Sequence, residues 1–292
     1  MKGLILTNAY SSSAHSANQP LRLKEEFARL GVSIDVRRND GFWTRLDEEG
    51  RLTSTLSGYD FCVYLDKDKY VATMLERAGL RLFNSCSAIL TCDDKMETAI
   101  ALSNAGVPMP KTLPGLLCYT PTATVSEATL DLVERELGYP MVVKESYGSF
   151  GAQVYKADDR ASLKEIAGKV LFKHHLYQQY VATSCGRDIR VIVIGGKVVA
   201  AMERRSTTDF RANIERGGVG YPLDLPPEAA ALAIKAAHIL GLDYCGVDIL
   251  YGPQGYLLCE VNSNAFFGGI EKVTGVNVAR AYCEHILQAL TL

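Results

Sequence analysis

Nothing in this sequence reads as a membrane span, a secretory leader or a zinc site. No apolar run approaches the roughly 18 residues of a membrane helix. The opening MKGLILTNAY is too short a run for a signal peptide, and Asn8 interrupts it. The eight cysteines (Cys62, Cys86, Cys92, Cys118, Cys185, Cys245, Cys259, Cys283) are scattered, with no C-x-x-C and no Cys/His pairing at zinc spacing. Several fall in strand-like or helical patterns, which suits reduced core thiols and a cytoplasmic enzyme. Charge of one sign is lacking too: 31 Lys and Arg against 33 Asp and Glu give a formal net charge of −2, so no global field favours nucleic acid or anionic membrane. There is no Walker A string, no internal repeat and no low-complexity tract. The patch Ser11 to Ser13 is too short for a linker and reads as a flexible loop. What remains is 292 residues at 48% hydrophobic content, a length that suits two or three domains with substantial cores.

Short strands alternate with helical patterns from the start. Gly3 to Thr7 predicts a strand. Pro20 to Leu30 predicts an amphipathic helix stopped by Gly31, and Val32 to Val36 and Phe61 to Leu65 predict two more strands. These suit a small parallel α/β domain. The loop after the third strand reads Asp66, Lys67, Asp68, Lys69, at the strand end where an open α/β sheet binds ligands. An ordinary solvated charge run is the competing reading. Cys92 to Asn104 predicts one helix with Asp93 and Asp94 in its first turn, where the dipole favours acids. Gly106 to Pro110 then ends it and marks a domain boundary.

Met141 to Val143 reads as a strand delivering Lys144 to the loop Tyr147, Gly148, Ser149, Phe150, Gly151, with another strand at Ala152 to Tyr155. Glycines let backbone N–H groups approach phosphate oxygens and the lysine supplies a point charge, although a plain hairpin turn fits the same letters. His175 to Val181 predicts a strand. Arg190 to Ile194 and Lys197 to Met202 predict a pair joined by Gly195 and Gly196. A basic stretch follows, from Glu203, Arg204, Arg205 through Arg211, Ala212, Asn213 to Arg216, Gly217, Gly218. Pro227 to Leu240 is an alanine-rich helix, and Val278 to Leu290 a terminal helix expected to cover the last sheet.

The densest chemistry lies in GVDILYGPQGYLLCEVNSNAFFGGIEKVTG. A turn centred on Pro253 and Gln254 makes this a hairpin with Asp248 nearly opposite Glu260, and period-2 alternation turns Glu260 and Asn262 to one face. Three oxygen ligands of the hard-cation type then share a patch, which suits Mg²⁺ beside substrate phosphates. The alternative is a solvated polar face of an edge hairpin. Both acids, however, sit inside apolar runs, where an unpaired charge is costly to bury.

The order D…E-x-N, the glycine-rich tail and G-I-E-K-x-T-G resemble the closing motif of the ATP-grasp superfamily, specifically the RimK-like carboxylate–amine ligases, and the resemblance extends along most of the chain. It implies an α/β (α+β) ATP-grasp fold: an N-terminal open parallel α/β domain over 1–90, a central lid domain over 91–184, and a C-terminal mixed-sheet domain with the magnesium site over 185–292. It also implies ATP, and two Mg²⁺ ions (Mn²⁺ able to substitute) on Asp248, Glu260 and Asn262. Lys144 then meets the α- and β-phosphates, Ser149 belongs to the mobile lid, and Lys95 is the second nucleotide-binding lysine. Gln179, Tyr180 and Val181 fall on the adenine connection, and Asp188 on the ribose position, where an ion pair with Arg187 or Arg190 is the alternative.

The wording ERR…FRAN…RGG resembles the family's catalytic loop. It assigns Arg211 and Asn213 to the γ-phosphate and tetrahedral intermediate, and Arg204 or Arg205 to a substrate carboxylate, for which the guanidinium fork is suited. The implied activity is ADP-forming ligation of a small-molecule carboxylate to an amine, with an amino acid as one partner, free or at a peptide end. No nucleic acid or membrane partner is implied, and a homo-oligomer is compatible with it. A D-alanine–D-alanine-type ligase shares the frame without that loop wording. A non-catalytic ATP-binding protein on the same fold needs fewer of these charges. Where the family has a Ser-Pro-Gly-like turn, this chain reads Ser263, Asn264, Ala265, Phe266, Phe267. Phe266 and Phe267 are therefore expected either to wall the acceptor pocket or to plug the interface with the last helix.

Overall fold

The structure, a computed structural model, describes residues 1–11 and 14–291. The expected loop at Ser11 to Ser13 therefore lies, apart from Ser11, outside the described residues. The chain opens with β1 (Lys2–Thr7), α1 (Ala14–Arg29), β2 (Ser33–Arg38), the small hairpin of β3 (Thr44–Leu46) and β4 (Leu52–Ser54), then β5 (Phe61–Leu65), α2 (Lys69–Arg77) and β6 (Leu82–Phe83). Strands β2, β1, β5 and β6 form a parallel sheet in that order. The runs Leu4 to Leu6 and Phe61 to Tyr64 are buried throughout, as strands covered on both faces must be. Strand β1 passes so close to its neighbours that a Cβ on Gly3 would meet Phe61 and Ile34 at 2.4 Å.

Helix α1 starts well before the expected first turn and runs through Pro20. Fully buried Leu23 and Phe27, one turn apart, hold it against the sheet, so packing outweighs the hydrogen bond that the proline removes. The single helix expected over Cys92 to Asn104 is instead two, α3 (Cys86–Asp93) and α4 (Lys95–Ala101). Asp94 lies between them in an extended conformation and accepts from the N–H groups of Met96 and Glu97, so its carboxylate caps a new helix rather than continuing the old one.

A second sheet follows: β7 (Thr112–Pro114), α5 (Glu127–Leu137), β8 (Met141–Glu145), β9 (Val154–Ala157), α6 (Arg160–Val170) and β10 (His175–Gln179), with strand order β7-β10-β8-β9. Strand β9 begins at Val154 rather than at Ala152, because Ala152 N–H is used in a turn to the Ser149 carbonyl. The sheet and its two helices have a core of their own around Leu130, Met141, Leu163 and Tyr177.

The third sheet contains β11 (Arg187–Ile194), β12 (Lys197–Arg205), β13 (Val219–Pro222), β14 (Tyr244–Gly252) and β15 (Gly255–Asn262) in the order β13-β12-β11-β14-β15. Helix α7 (Pro227–Ile239) interrupts the strands, and α8 (Gly268–Thr274) and α9 (Val278–Thr291) close the chain. The pairings are antiparallel throughout where a mixed sheet was expected, since tight turns join β11 to β12 and β14 to β15. Alternation divides the faces. Ile189, Val191, Val193, Cys245 and Val247 pack with the alanines of α7, whereas Ile192, Ile194 and Tyr244 pack with α8, α9, α1 and the first sheet. Helix α9 thus covers the last sheet, as expected, and lies against α1 as well. No helix among the described residues is long and apolar enough to cross a membrane.

Candidate active site

The hairpin of β14 and β15 has the register expected from its turn. Asp248 pairs with Glu260 and Gly252 with Gly255, and a bulge after Asp248 shifts the pairing by one residue. Asp248, Glu260 and Asn262 all line one cleft of about 430 Å³ between the first and third sheets. A narrower cavity of about 100 Å³ lies between the second and third sheets. Arg204, Asn213, Asp248 and Glu260 line both, so the two spaces meet at the hairpin.

Of the residues assigned from the sequence to nucleotide, metal or catalysis, all but one converge here. Lys144, Gln179, Tyr180, Val181, Asp188 and Arg211 line the narrow cavity, Ser149 and Asn262 the large cleft, and Lys95 a small adjoining space beside Lys144 and Glu260. Arg205 does not join them. It alternates to the other face of β12, pairs with Glu203 and stacks on Tyr221 at 5.1 Å.

Four charges form a buried quartet. Arg190 makes a two-pronged contact with Asp248, its Nη2 donating at 2.9 Å, and Arg204 grips Asp188 at 2.7 Å through both Nε and Nη2. Arg204 Nη2 also lies 3.1 Å from Asp248. The alternative weighed for Asp188, beside the ribose position, was an ion pair with Arg187 or Arg190. The register overturns this, because Asp188 faces Arg204 across β11 and β12, while Arg190 faces Asp248 across β11 and β14. Arg190 was weighed in the sequence only as that partner. Its signal was the period-2 step from Asp188, which puts both on one face. Burial alone would push the Asp248 carboxyl up, but Arg190 and Arg204 outweigh it and hold it below the usual carboxylate value. Burial pushes Asp188 above its ordinary value, against the pull of Arg204 and with repulsion from Asp248 adding to the rise.

Two lysines behave differently. Lys95 donates to the carbonyls of Ser146 and Gly148, at 3.4 and 3.2 Å, and lies 3.6 Å from Glu260. Lys144 is 7% exposed, and among the described residues its side chain meets the Cys259 thiol at 3.9 Å, with no carboxylate in ion-pair range. Burial pushes that thiol up to about 11 even beside the lysine.

The glycine loop is fastened to the basic loop. Arg211 donates to the carbonyls of Gly151 and Val154 while paired with Asp209, and Arg216 donates to the Phe150 carbonyl at 2.9 Å. Phe150 stacks on Phe266 with centroids 6.0 Å apart and planes 4° apart, a contact across 116 positions that no local pattern announces. The Phe266 and Phe267 alternatives divide between the two residues. Phe266 lines the cleft, and Phe267, 1% exposed, sits edge-on to Tyr244 in the core.

No cluster of three or more His, Cys, Asp or Glu side chains at metal-holding spacing occurs among the described residues. The donor set is nonetheless of the hard-oxygen kind. A carboxylate offers about four lone-pair sites. Three on Asp248 are taken by the arginines, which leaves it one, and among the described residues Glu260 meets only Lys95 at ion-pair range. Glu260 and Asn262, with a single site from Asp248, fit a divalent cation that completes its shell with water and phosphate oxygens.

Comparison with known proteins places these features. Residues 92–286 match the RimK-like ATP-grasp domain family. The chain is 36% identical over 233 residues to beta-citrylglutamate synthase B of Danio rerio, covering 78% of this chain and 56% of that protein. It is 38% identical over 207 residues to a probable alpha-L-glutamate ligase of Citrobacter koseri, covering 70% and 66%. The match thus spans little more than half the length of the first of these and about two thirds of the second. In three dimensions, a RimK domain ATP-grasp protein from Sphaerobacter thermophilus superposes with a TM-score of 0.72 at 19% identity over 98% of this chain and 99% of that one. With that family match over the whole of the second and third sheets, and with relatives above 30% identity, this chain belongs to the RimK-like ATP-grasp family.

Proposed function

We propose that the chain is an ADP-forming ligase that joins a carboxylate to an amine, with an amino acid as one substrate. The observation that carries this reading is Lys144: a buried cation on a cavity wall without an anionic partner among the described residues calls for a ligand that supplies negative charge, such as the phosphates of ATP. Tyr180 and Val181, past the end of β10, offer backbone groups to the base, and Asp188 retains acceptor sites for a ribose hydroxyl. The names of the relatives, a citrylglutamate synthase and a glutamate ligase, favour glutamate as the amino acid.

In this reading a substrate carboxylate oxygen attacks the γ-phosphorus, the bond to the β-phosphate bridging oxygen breaks, and ADP leaves an acyl phosphate. The amine nitrogen then attacks the acyl carbon, phosphate departs and the nitrogen loses its proton. Positioning and charge neutralisation dominate such a reaction, so the chain needs little base chemistry. Arg204 and Asn213, which line both cavities, stand where the γ-phosphoryl would pass to the substrate carboxylate. Arg211 holds the glycine loop over that point through Gly151 and Val154, which makes it a positioning group for the lid. Mg²⁺, held by Glu260, Asn262 and one Asp248 site, would supply charge neutralisation at the phosphates.

The test is ADP release by the purified chain with ATP, Mg²⁺ and panels of carboxylates and amino acids, beside a Lys144→Met variant. The expected result is amine-dependent ADP release in the wild type and loss of nucleotide affinity in the variant. ATP binding without turnover for any pair would favour the non-catalytic reading instead.

A further inference from the structure

We propose that Asp66 anchors a cationic amino group of the second substrate, so that the large cleft takes a primary-amine compound such as a free amino acid or an aminoacyl end. This rests on the ligase reading and names the substrate class of its second site. Asn8, Asn39 and Asp66 are each the first residue beyond one of three neighbouring parallel strands, β1, β2 and β5. Parallel registry therefore brings them together at one end of the sheet. Asn8 Nδ2 donates to Asp66 Oδ1 at 2.9 Å, Asn39 Nδ2 to Oδ2 at 3.2 Å, and the Lys67 N–H to Oδ1 at 2.7 Å.

All three donors are neutral. Asp66 is 5% exposed, lines the cleft, and has no cation at ion-pair distance among the described residues. The neighbouring lysine is no help, since Lys67 Nζ is turned to Asp93 at 2.6 Å. A buried carboxylate without a counter-charge is costly, and the missing charge is supplied when a ligand brings it.

The rest of the wall points the same way. Arg190 and Arg204, the other cations of the cleft, are already committed to Asp248 and Asp188. Gln19 spends its Nε2 on the Ala265 carbonyl at 3.3 Å, which leaves its buried Oε1 without a partner, and buried Asn264 Oδ1 likewise has none. Both residues line the cleft. The wall thus carries two buried acceptors without a partner, and an ammonium brings three donors and one positive charge. Of the roughly four lone-pair sites on Asp66, three are used, and the fourth is the docking point.

The experiment takes the full chain, the proteinogenic amino acids, their N-acetyl forms and simple carboxylates lacking an amine. Binding is read by calorimetry, and ADP release is read with ATP and Mg²⁺. At least one free amine is expected to bind, with its N-acetyl form weaker by about tenfold or more, the size of a charge-assisted hydrogen bond. Asp66→Asn should weaken the free amine by a similar factor, leave the KM for ATP within about twofold, and be partly rescued by Asp66→Glu. Equal or tighter binding of N-acetyl or amine-free compounds to the wild type would overturn the proposal even if the variants fold poorly, as would unchanged amine affinity in folded Asp66→Asn. Amine preference without nucleotide binding or ADP release would instead sink the ligase reading and leave the role of Asp66 standing.

Discussion

Removing Arg204 should damage the fold before it damages any substrate contact. The residue is 3% exposed and makes two 2.7 Å hydrogen bonds to Asp188 and a 3.1 Å contact to Asp248. In Arg204→Met, Asp248 keeps Arg190, whereas Asp188 is stranded in the interior beside another carboxylate. Taking one partner from a buried ion pair typically costs about 3–5 kcal/mol. Replacing both charges costs much less, because the desolvation of each disappears with it. Arg204→Met/Asp188→Leu should therefore recover most of the loss, since Arg190 and Asp248 remain as a neutral pair. A pH signature accompanies this. Asp188 is already biased toward its protonated form by burial, and without Arg204 the bias grows. The folded variant then binds a proton more readily than its unfolded chain, so its deficit should shrink as the pH falls toward the raised folded value. Urea midpoints followed by circular dichroism at neutral and mildly acidic pH provide the assay. A single variant within about 1 kcal/mol of wild type, or a double variant no more stable than the single, would refute the argument and free Arg204 for a purely substrate-directed role.

Glu260→Gln should lower turnover by about a hundredfold or more with unchanged circular dichroism, because neutralisation at the phosphates is lost; near-normal ADP release would remove Glu260 from the site. Phe266→Leu should raise the KM of the carboxylate or the amine far more than that of ATP, while Phe267→Ala should cost about 3–5 kcal/mol of stability. Equal kinetic effects of the two changes would contradict the division between cleft and core. His175 is held below its usual value of 6.5 chiefly by burial, so the unfolded chain takes up the proton first and stability should fall as the pH drops below that value. His175→Gln should flatten that part of the urea-midpoint profile, and an unchanged slope would exclude the histidine as its source.

Strand pairs joined by tight turns were legible in the sequence. The turn at Pro253 and Gln254 fixes the pairing of Gly252 with Gly255 and so brings Asp248 within one residue of facing Glu260, and the bulge after Asp248 supplies the last step, which the loop length does not announce. The same logic succeeded for Gly195 and Gly196, both with positive φ. The break at Asp94 was harder, since an aspartate near a helix start suits the first turn and the cap equally, and only the backbone geometry decides. Ion-pair partners were least legible. Asp188 has two arginines close by in sequence, yet it binds one sixteen positions away, because sheet registry and not chain proximity selects neighbours. Asp66 was visible as part of a charged loop, but its lack of a counter-ion depends on where Lys67 turns.

The joint core of the first and third sheets determines how the molecule divides mechanically. Phe27, Phe61 and Phe83 lie in one apolar cluster with Tyr244, Phe267 and Tyr282, so two of the three sheets form a single anvil whose halves cannot part without exposing that cluster to water. The second sheet, with its separate core, is the hammer, and it is held down by a few replaceable contacts at Phe150, Gly151 and Val154. Its cavity of about 100 Å³ is well below the several hundred Å³ usual for small-molecule sites, whereas the cleft on the anvil, at about 430 Å³, already has that scale. On the function proposed above, nucleotide exchange would therefore require that one sheet to lift, while the second substrate would meet a surface that stands without it.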